Sequence, residues 1–254
     1  MKGLTIFFFI SLTSLSAFGK AKTIHIFVAL CDNINQGIDP VPEKLGNGQD
    51  PKNNLYWGAM YGIKSYFKYR TEEWKLISSP KSENSCVLER LLFKHKTKDV
   101  YILAEAYNGL NIKNCTEDFL KSSNGQHHIS IIDGESTLQF GGKSDLVSYV
   151  GHDGLMDFEI KLNYNPVSTT KRDVIILACY SKNYFSQNVK NAGANPILWT
   201  TNLMAPEAYS LKAAIDGWIL NESNSEIEER AAQAYKRYQK CSLIGARNLF
   251  TTGF

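Results

Sequence analysis

The sequence lacks several features that would assign a function directly. Its five cysteines form no Cys-x-x-Cys pair, and its His and Cys residues do not have the spacing of a zinc site. Lys and Arg (28) barely outnumber Asp and Glu (25), and no basic cluster is interleaved with aromatic residues. No apolar run reaches the about 18 residues that a membrane-spanning helix needs. These absences argue against a zinc protein, a nucleic-acid-binding protein and a membrane-spanning protein.

The N-terminus has the pattern of a secretory signal peptide. Lys2 precedes an apolar stretch over residues 4–12, and the small residues Ala17 and Gly19 suit cleavage after Gly19. We therefore expect residues 1–19 to be removed and residues 20–254 to be exported, to a periplasmic or extracellular location, with no stable membrane span. An uncleaved amphipathic anchor is the alternative.

The cysteine count bears on export. An odd number of cysteines in an oxidising compartment leaves at least one thiol unpaired. Two disulfides among Cys31, Cys86, Cys115 and Cys241 would leave Cys179 free. The alternative is five reduced, mostly buried thiols, since Cys is often simply buried.

Apolar runs of strand length alternate with helical patterns along the chain. One mostly parallel sheet is predicted from runs at residues 23–30, 100–106, 146–151, 174–178 and 197–200. A further strand is predicted at 74–77, a hairpin at 128–140, and helices at 55–69, 86–93, 114–121, from Pro206 and after Ser223. With no internal repeat or linker, the sequence predicts one three-layer α/β domain whose sheet is flanked by helices.

Two neighbouring predicted strands end at reactive side chains. The strand at 146–151 is followed by His152, and the strand at 174–178 is followed by Cys179. In open α/β sheets, ligands and chemistry gather beyond the carboxyl ends of the strands. The pattern therefore predicts an imidazole beside a thiol, and a nearby His is the usual means of generating a nucleophilic thiolate.

An apolar block ending in His, with Gly close behind, followed by an apolar block ending in Ala-Cys resembles the signature of the caspase-like cysteine peptidases of clan CD. That group includes caspases, legumains, gingipains and separases. The resemblance covers mainly residues 145–201 and rests on Tyr-Val-Gly-His at 149–152 and Ile-Leu-Ala-Cys at 176–179. It implies a caspase-like fold, with Cys179 as the nucleophile and His152 as the general base. The substrate would be a polypeptide, and the chemistry needs no metal and no organic cofactor.

The resemblance also implies an oxyanion hole formed by the backbone N–H groups of Gly154 and Cys179. Such donors are commonly worth about 3 kcal/mol each in the transition state. Asp153 separates His152 from Gly154, where the family has His followed directly by Gly. The Asp153 amide is therefore an alternative donor.

Residues near other strand ends are candidates for a substrate pocket. Asp32 and Asn33 follow the first strand, and Trp199 ends a later strand, where a core position is the alternative. Asp157 either orients the His152 imidazole, as a third group does in catalytic triads, or is simply solvated.

Three functions remain open from the sequence. The first is an exported caspase-like cysteine peptidase. The second is a catalytically inactive caspase-like exported module for binding or assembly, in which Cys179 is a plain core thiol. The third is another acyl-transfer enzyme, such as an amidase, that uses the same dyad. A glycine-rich segment at 45–51 lacks both GxGxxG and Walker spacing and is interpreted as a surface loop.

Overall fold

A computed structural model describes residues 20–166 and 171–254, so the predicted signal peptide at 1–19 lies outside the described residues. Within that part of the chain the elements are, in order, β1 (Lys22–Ala29), α1 (Ile63–Tyr69), β2 (Trp74–Ser78), β3 (Val87–His95), β4 (Val100–Tyr107), α2 (Ile112–Ser123), β5 (His128–Asp133), β6 (Ser136–Gly141), β7 (Leu146–Val150), β8 (Asp173–Leu177), α3 (Ser181–Ala192), β9 (Asn195–Thr200), α4 (Ala208–Ile219), α5 (Asn224–Gln239), α6 (Leu243–Leu249) and β10 (Phe250–Thr251). None of these helices combines the length and the apolarity needed to cross a bilayer.

Eight strands form one sheet in the order β10-β9-β8-β7-β1-β4-β3-β2. The five central strands, β9 to β4 in that order, are parallel, whereas β10, β3 and β2 are antiparallel to their neighbours. The five strands predicted to share a parallel sheet are these five, so that prediction is confirmed. Strands β5 and β6 form the predicted hairpin, as a separate two-stranded sheet.

The order of the parallel strands contains a topological switch point. The second parallel strand along the chain, β4, lies on one side of β1, whereas the later strands β7, β8 and β9 lie in order on the other side. This is the doubly wound order in which a crevice opens at the carboxyl ends of the first and third parallel strands. Here those strands are β1 and β7, and β7 is the strand that precedes His152.

The sheet is the middle of three layers because alternate residues of β1 enter different cores. Ile24, Ile26 and Val28 face the core formed with α1, α4, α5 and α6. Phe27 and Ala29 face the core formed with α2 and α3. Both faces are apolar, as expected for parallel strands that are covered on both sides. The α/β class and the single three-layer domain predicted from the sequence are confirmed.

Strand β3 corrects the helix predicted at 86–93. The segment pairs with β2 on one side and β4 on the other. Leu91 and Phe93 enter the core on one face while Leu92 enters a smaller core beneath the hairpin. This alternation has the period of a strand, and pairing on both edges decides the conformation.

The predicted helix at 55–69 is also shorter, because α1 begins only at Ile63. The loop before α1 is held in place by hydrogen bonds of a side chain instead of by helical backbone hydrogen bonds. The Asn54 amide donates to the carbonyls of Cys31 (2.8 Å) and Asn47 (3.0 Å), and its oxygen accepts the N–H groups of Cys31 (3.1 Å) and Tyr56 (3.2 Å). The predicted capping box at the start of α5 is confirmed. Helices α3 and α6 and strand β10 were not predicted.

Candidate active site

A cleft of about 270 Å³ opens at the carboxyl edge of the sheet, beside the switch point. His152, which follows β7, and Cys179, which follows β8, both line it. The loops after β1 and β9 complete the cleft; the other lining residues are Gly37, Ile38, Asp39, Tyr56, Gly151, Met156, Leu203, Met204 and Pro206. The structure therefore brings together the two reactive residues singled out in the sequence.

Cys179 is half-buried at the entrance to α3. Its Sγ accepts the N–H of Met204 (3.4 Å) and lies 3.7 Å from the Met204 carbonyl oxygen. Burial raises the pKa of the thiol above its usual 9.0; the Met204 N–H lowers it and the charge of Asp153 raises it further. The resting group is thus a neutral thiol, whereas the sequence pattern favoured a preformed thiolate.

His152 is buried, and contacts of the backbone around it fix its position. Gly151 has a φ of 147° and lies so close to the Ala29 carbonyl oxygen that a Cβ would overlap it. The Tyr149 hydroxyl donates to the His152 carbonyl at 2.7 Å. The end of β7 is therefore fixed against β1, and the His152 side chain forms part of the cleft wall.

The imidazole is paired with Asp157. A 3₁₀ turn at Gly154–Met156 reverses the chain after His152, so that the Asp157 Oδ2 lies 2.7 Å from the His152 Nε2. The same oxygen accepts the N–H of Gly37 at 3.0 Å. Since a carboxylate only accepts, Nε2 carries the proton and Nδ1 is left as the basic nitrogen. Of the two alternatives for Asp157, the structure has the orienting contact.

Asp153 is fully buried beneath this turn. One carboxyl oxygen accepts the N–H of Leu155 at 3.0 Å, and the other has no hydrogen-bond partner among the described residues. Burial raises the pKa of this carboxyl to about 7, although the Leu155 N–H opposes the shift. The residue that interrupts the His-Gly motif is therefore a carboxyl group held in an unfavourable environment for its charge.

Three backbone amides at or near the cleft have no internal hydrogen-bond acceptor. Within residues 20–166 and 171–254, the N–H groups of Cys179, Asp153 and Gly154 donate to no acceptor. Gly154 does not line the cleft, and its Cα faces the side chains of Phe158 and Ile112. The oxyanion hole of Gly154 and Cys179 stays a prediction, with the Asp153 amide as the alternative donor.

The three residues predicted as pocket-lining do not line this cleft. Asp32 is buried and accepts the N–H groups of Ile34 and Asn35, which shapes the loop after β1. Asn33 bonds to both backbone groups of Val41. Trp199 is buried in the core shared with α2 and α3, its stated alternative. The residues that do line the cleft come from irregular loops, and only their position after strand ends could have indicated them.

The described residues contain neither a disulfide nor a cluster of candidate metal ligands. All five cysteines are unpaired in the structure. In the described part of the chain, no three His, Cys, Asp or Glu side chains converge as metal ligands.

Comparison of the chain with protein-family models, with curated proteins and with solved structures finds no match. The likeness to caspase-like peptidases therefore rests on the His and Cys motifs, together with a sheet and layer arrangement that is consistent with that fold.

Proposed function

We propose that the protein is an exported cysteine peptidase of caspase-like type, with Cys179 as nucleophile and His152 as general base. One observation carries the proposal. The two side chains come from adjacent parallel strands and line one cleft at the switch point of the sheet. Asp157 supports it by holding the imidazole in the tautomer that leaves Nδ1 free to take a proton.

Attack on the peptide carbonyl would couple two events. The Cys179 sulfur forms a bond to the carbonyl carbon while the thiol proton passes to His152 Nδ1. Because burial raises the pKa of the thiol, this transfer accompanies attack instead of preceding it. The Asp157 carboxylate accepts the Nε2–H and stabilises the imidazolium that forms.

Collapse of the tetrahedral intermediate would release the amine. Free backbone N–H groups, with Cys179 as one donor, stabilise the oxyanion. His152 returns its proton to the leaving nitrogen as the C–N bond breaks, which leaves a thioester on Cys179. Water then loses a proton to His152, attacks the thioester and releases the carboxylic acid and the thiol.

A second function, a catalytically inactive binding module, is favoured by one observation. The Cys179 sulfur already contacts both backbone polar groups of Met204, and burial raises its pKa. A protonated thiol is a poor nucleophile unless His152 accepts its proton when substrate binds. The two functions differ in whether peptide bonds are cleaved.

Cleavage of a diverse peptide library, followed by mass spectrometry, tests the proposal. We expect the wild-type protein to cleave a subset of peptides and Cys179→Ala to cleave none. Cys241→Ala is the matched control, because Cys241 is also half-exposed but does not line the cleft, and it should keep full activity. No cleavage by wild type would favour the binding module, whereas equal cleavage by the Cys179→Ala protein would overturn Cys179 as the nucleophile.

A further inference from the structure

The wall of the cleft around Cys179 includes several apolar side chains. They are those of Ile38, Met156, Leu203, Met204 and Pro206. Among the described residues no lysine or arginine lines it, and its carboxylate, Asp39, stands at the exposed rim. An acidic substrate side chain would find no cation to pair with there, and its desolvation would go uncompensated.

Two of these apolar side chains are left in water. Leu203 is 62% exposed and Met156 is 40% exposed. Large apolar side chains that border a concave site indicate a surface that is covered when a ligand binds. Leu203 and Met156 are exposed at the rim, and Met204 and Pro206 are buried behind them. An apolar group of a ligand could therefore be buried against these side chains.

The order of the strands divides these apolar residues between the two sides of the nucleophile, with Met156 and Ile38 on the His152 side and Leu203, Met204 and Pro206 on the other. β8, which carries Cys179, lies between β7 and β9. His152 follows β7, whereas Leu203 and Met204 follow β9. The leaving amine must lie on the side of His152, because that residue returns the proton to it. The acyl part of the substrate then extends toward Leu203 and Met204.

We propose, on the basis of the peptidase function above, that the substrate carries an uncharged, apolar side chain at the residue that supplies the scissile carbonyl. Leu203 is the principal specificity-determining residue, because it combines a large apolar side chain with exposure at the cleft. A basic side chain paired with Asp39 is the competing outcome.

Four otherwise identical peptidyl acyloxymethyl ketones, with Leu, Phe, Asp or Lys next to the reactive ketone, provide the test. The rate at which each alkylates Cys179 is measured by intact mass. We expect the Leu and Phe probes to react at least tenfold faster than the Asp and Lys probes. In Leu203→Arg, the Leu probe should slow and the Asp probe should accelerate, so that their ratio falls at least tenfold.

Leu110→Arg is the matched control. Leu110 is 60% exposed and follows β4 at the same edge of the sheet, but it does not line the cleft, so the probe ratios should not change. A wild-type preference for the Asp or Lys probe, or an equal response of both arginine variants, overturns the specificity while the peptidase function stands. Failure of every probe to label wild-type Cys179 overturns the peptidase function and this inference with it.

Discussion

The His152 Nε2 lies 2.7 Å from the Asp157 Oδ2, and that same carboxylate oxygen accepts the Gly37 N–H. The carboxylate therefore connects the proposed base, which follows β7, to the wall of the cleft that follows β1. Gly37 has no space for a Cβ, which would overlap the carboxylate. Orientation of the base and the shape of the cleft are set by one group.

Replacing Asp157 by Asn should impair catalysis more than folding. The Gly37 N–H requires an oxygen at the position that faces Nε2, so the Asn amide keeps the His152 tautomer but lacks the negative charge that stabilises the imidazolium. We expect kcat for a cleaved peptide to fall by at least about tenfold, with KM little changed and a shifted pH–rate profile. Glu159→Gln removes a nearby exposed charge that does not line the cleft and is the control. A loss of kcat that merely tracks a loss of folded protein would contradict a positioning role.

The pH dependence of alkylation should report the neutral thiol. Since burial raises the pKa of Cys179 above its usual 9.0, the thiol rather than the thiolate predominates at pH 7. The iodoacetamide rate at Cys179, followed by peptide mapping, should keep rising through pH 9. His152→Ala should change that rate little but should abolish reaction with a peptidyl probe. A plateau near pH 6 to 7 would instead indicate a resting thiolate–imidazolium pair.

Asp153→Asn should make the protein more stable at neutral and alkaline pH. Burial raises the folded-state pKa of Asp153 from 3.8 to about 7. The stability that its protonated form contributes is therefore complete below about pH 4 and is lost as pH rises through 7. The difference in unfolding free energy between Asp153→Asn and wild type should grow by up to about 4 kcal/mol from pH 4 to 8.

Urea denaturation at several pH values measures that difference. The exposed Glu43→Gln variant is the control for loss of one negative charge. A difference between Asp153→Asn and wild type that does not vary with pH would show that Asp153 ionises normally in the folded protein.

Glu105→Gln should destabilise the fold. Glu105 is fully buried, accepts from Arg90 Nε at 2.6 Å, and lies 2.9 Å from His25 Nε2. The Gly141 N–H donates to His25 Nδ1, so His25 is neutral and donates from Nε2. Loss of the carboxylate leaves the Arg90 charge uncompensated, at a cost of roughly 3–5 kcal/mol in urea unfolding. The Glu229→Gln variant, which breaks a half-exposed pair with Arg247, should lose far less.

The sequence predicts the parallel strands well because buried runs such as 174–178 are apolar on both faces and have strand length. It fails where pairing decides the conformation, as in β3, whose spacing also fits a helix. Helix α3 is missed because only one side of it is apolar, with Phe185 and Val189 buried, and the rest is polar. Local periodicity cannot resolve such segments, since tertiary contacts override it.

For the site, the sequence places His152 and Cys179 at strand ends, because that rule depends only on topology. The contact between His152 and Asp157 depends on the path of a 3₁₀ turn, which Asp153 shapes by capping it. Ile38 and Leu203 lie in loops without periodicity, so no pattern could assign them to the cleft wall. Asp32 and Asn33 do lie at the predicted carboxyl edge of the sheet. Their side chains, however, form hydrogen bonds within the loop after β1 and do not line the cleft.

The four hydrogen bonds of the Asn54 side chain have a consequence for binding. They join the start of the loop after β1, at Cys31, to the later part of the same loop next to Tyr56, which lines the cleft. A wall that is already ordered loses little conformational entropy when a ligand arrives. The free energy of contacts with this wall therefore contributes to affinity and is not offset by ordering of the loop. We expect an Asn54→Ala protein to bind a peptide inhibitor with a less favourable entropy.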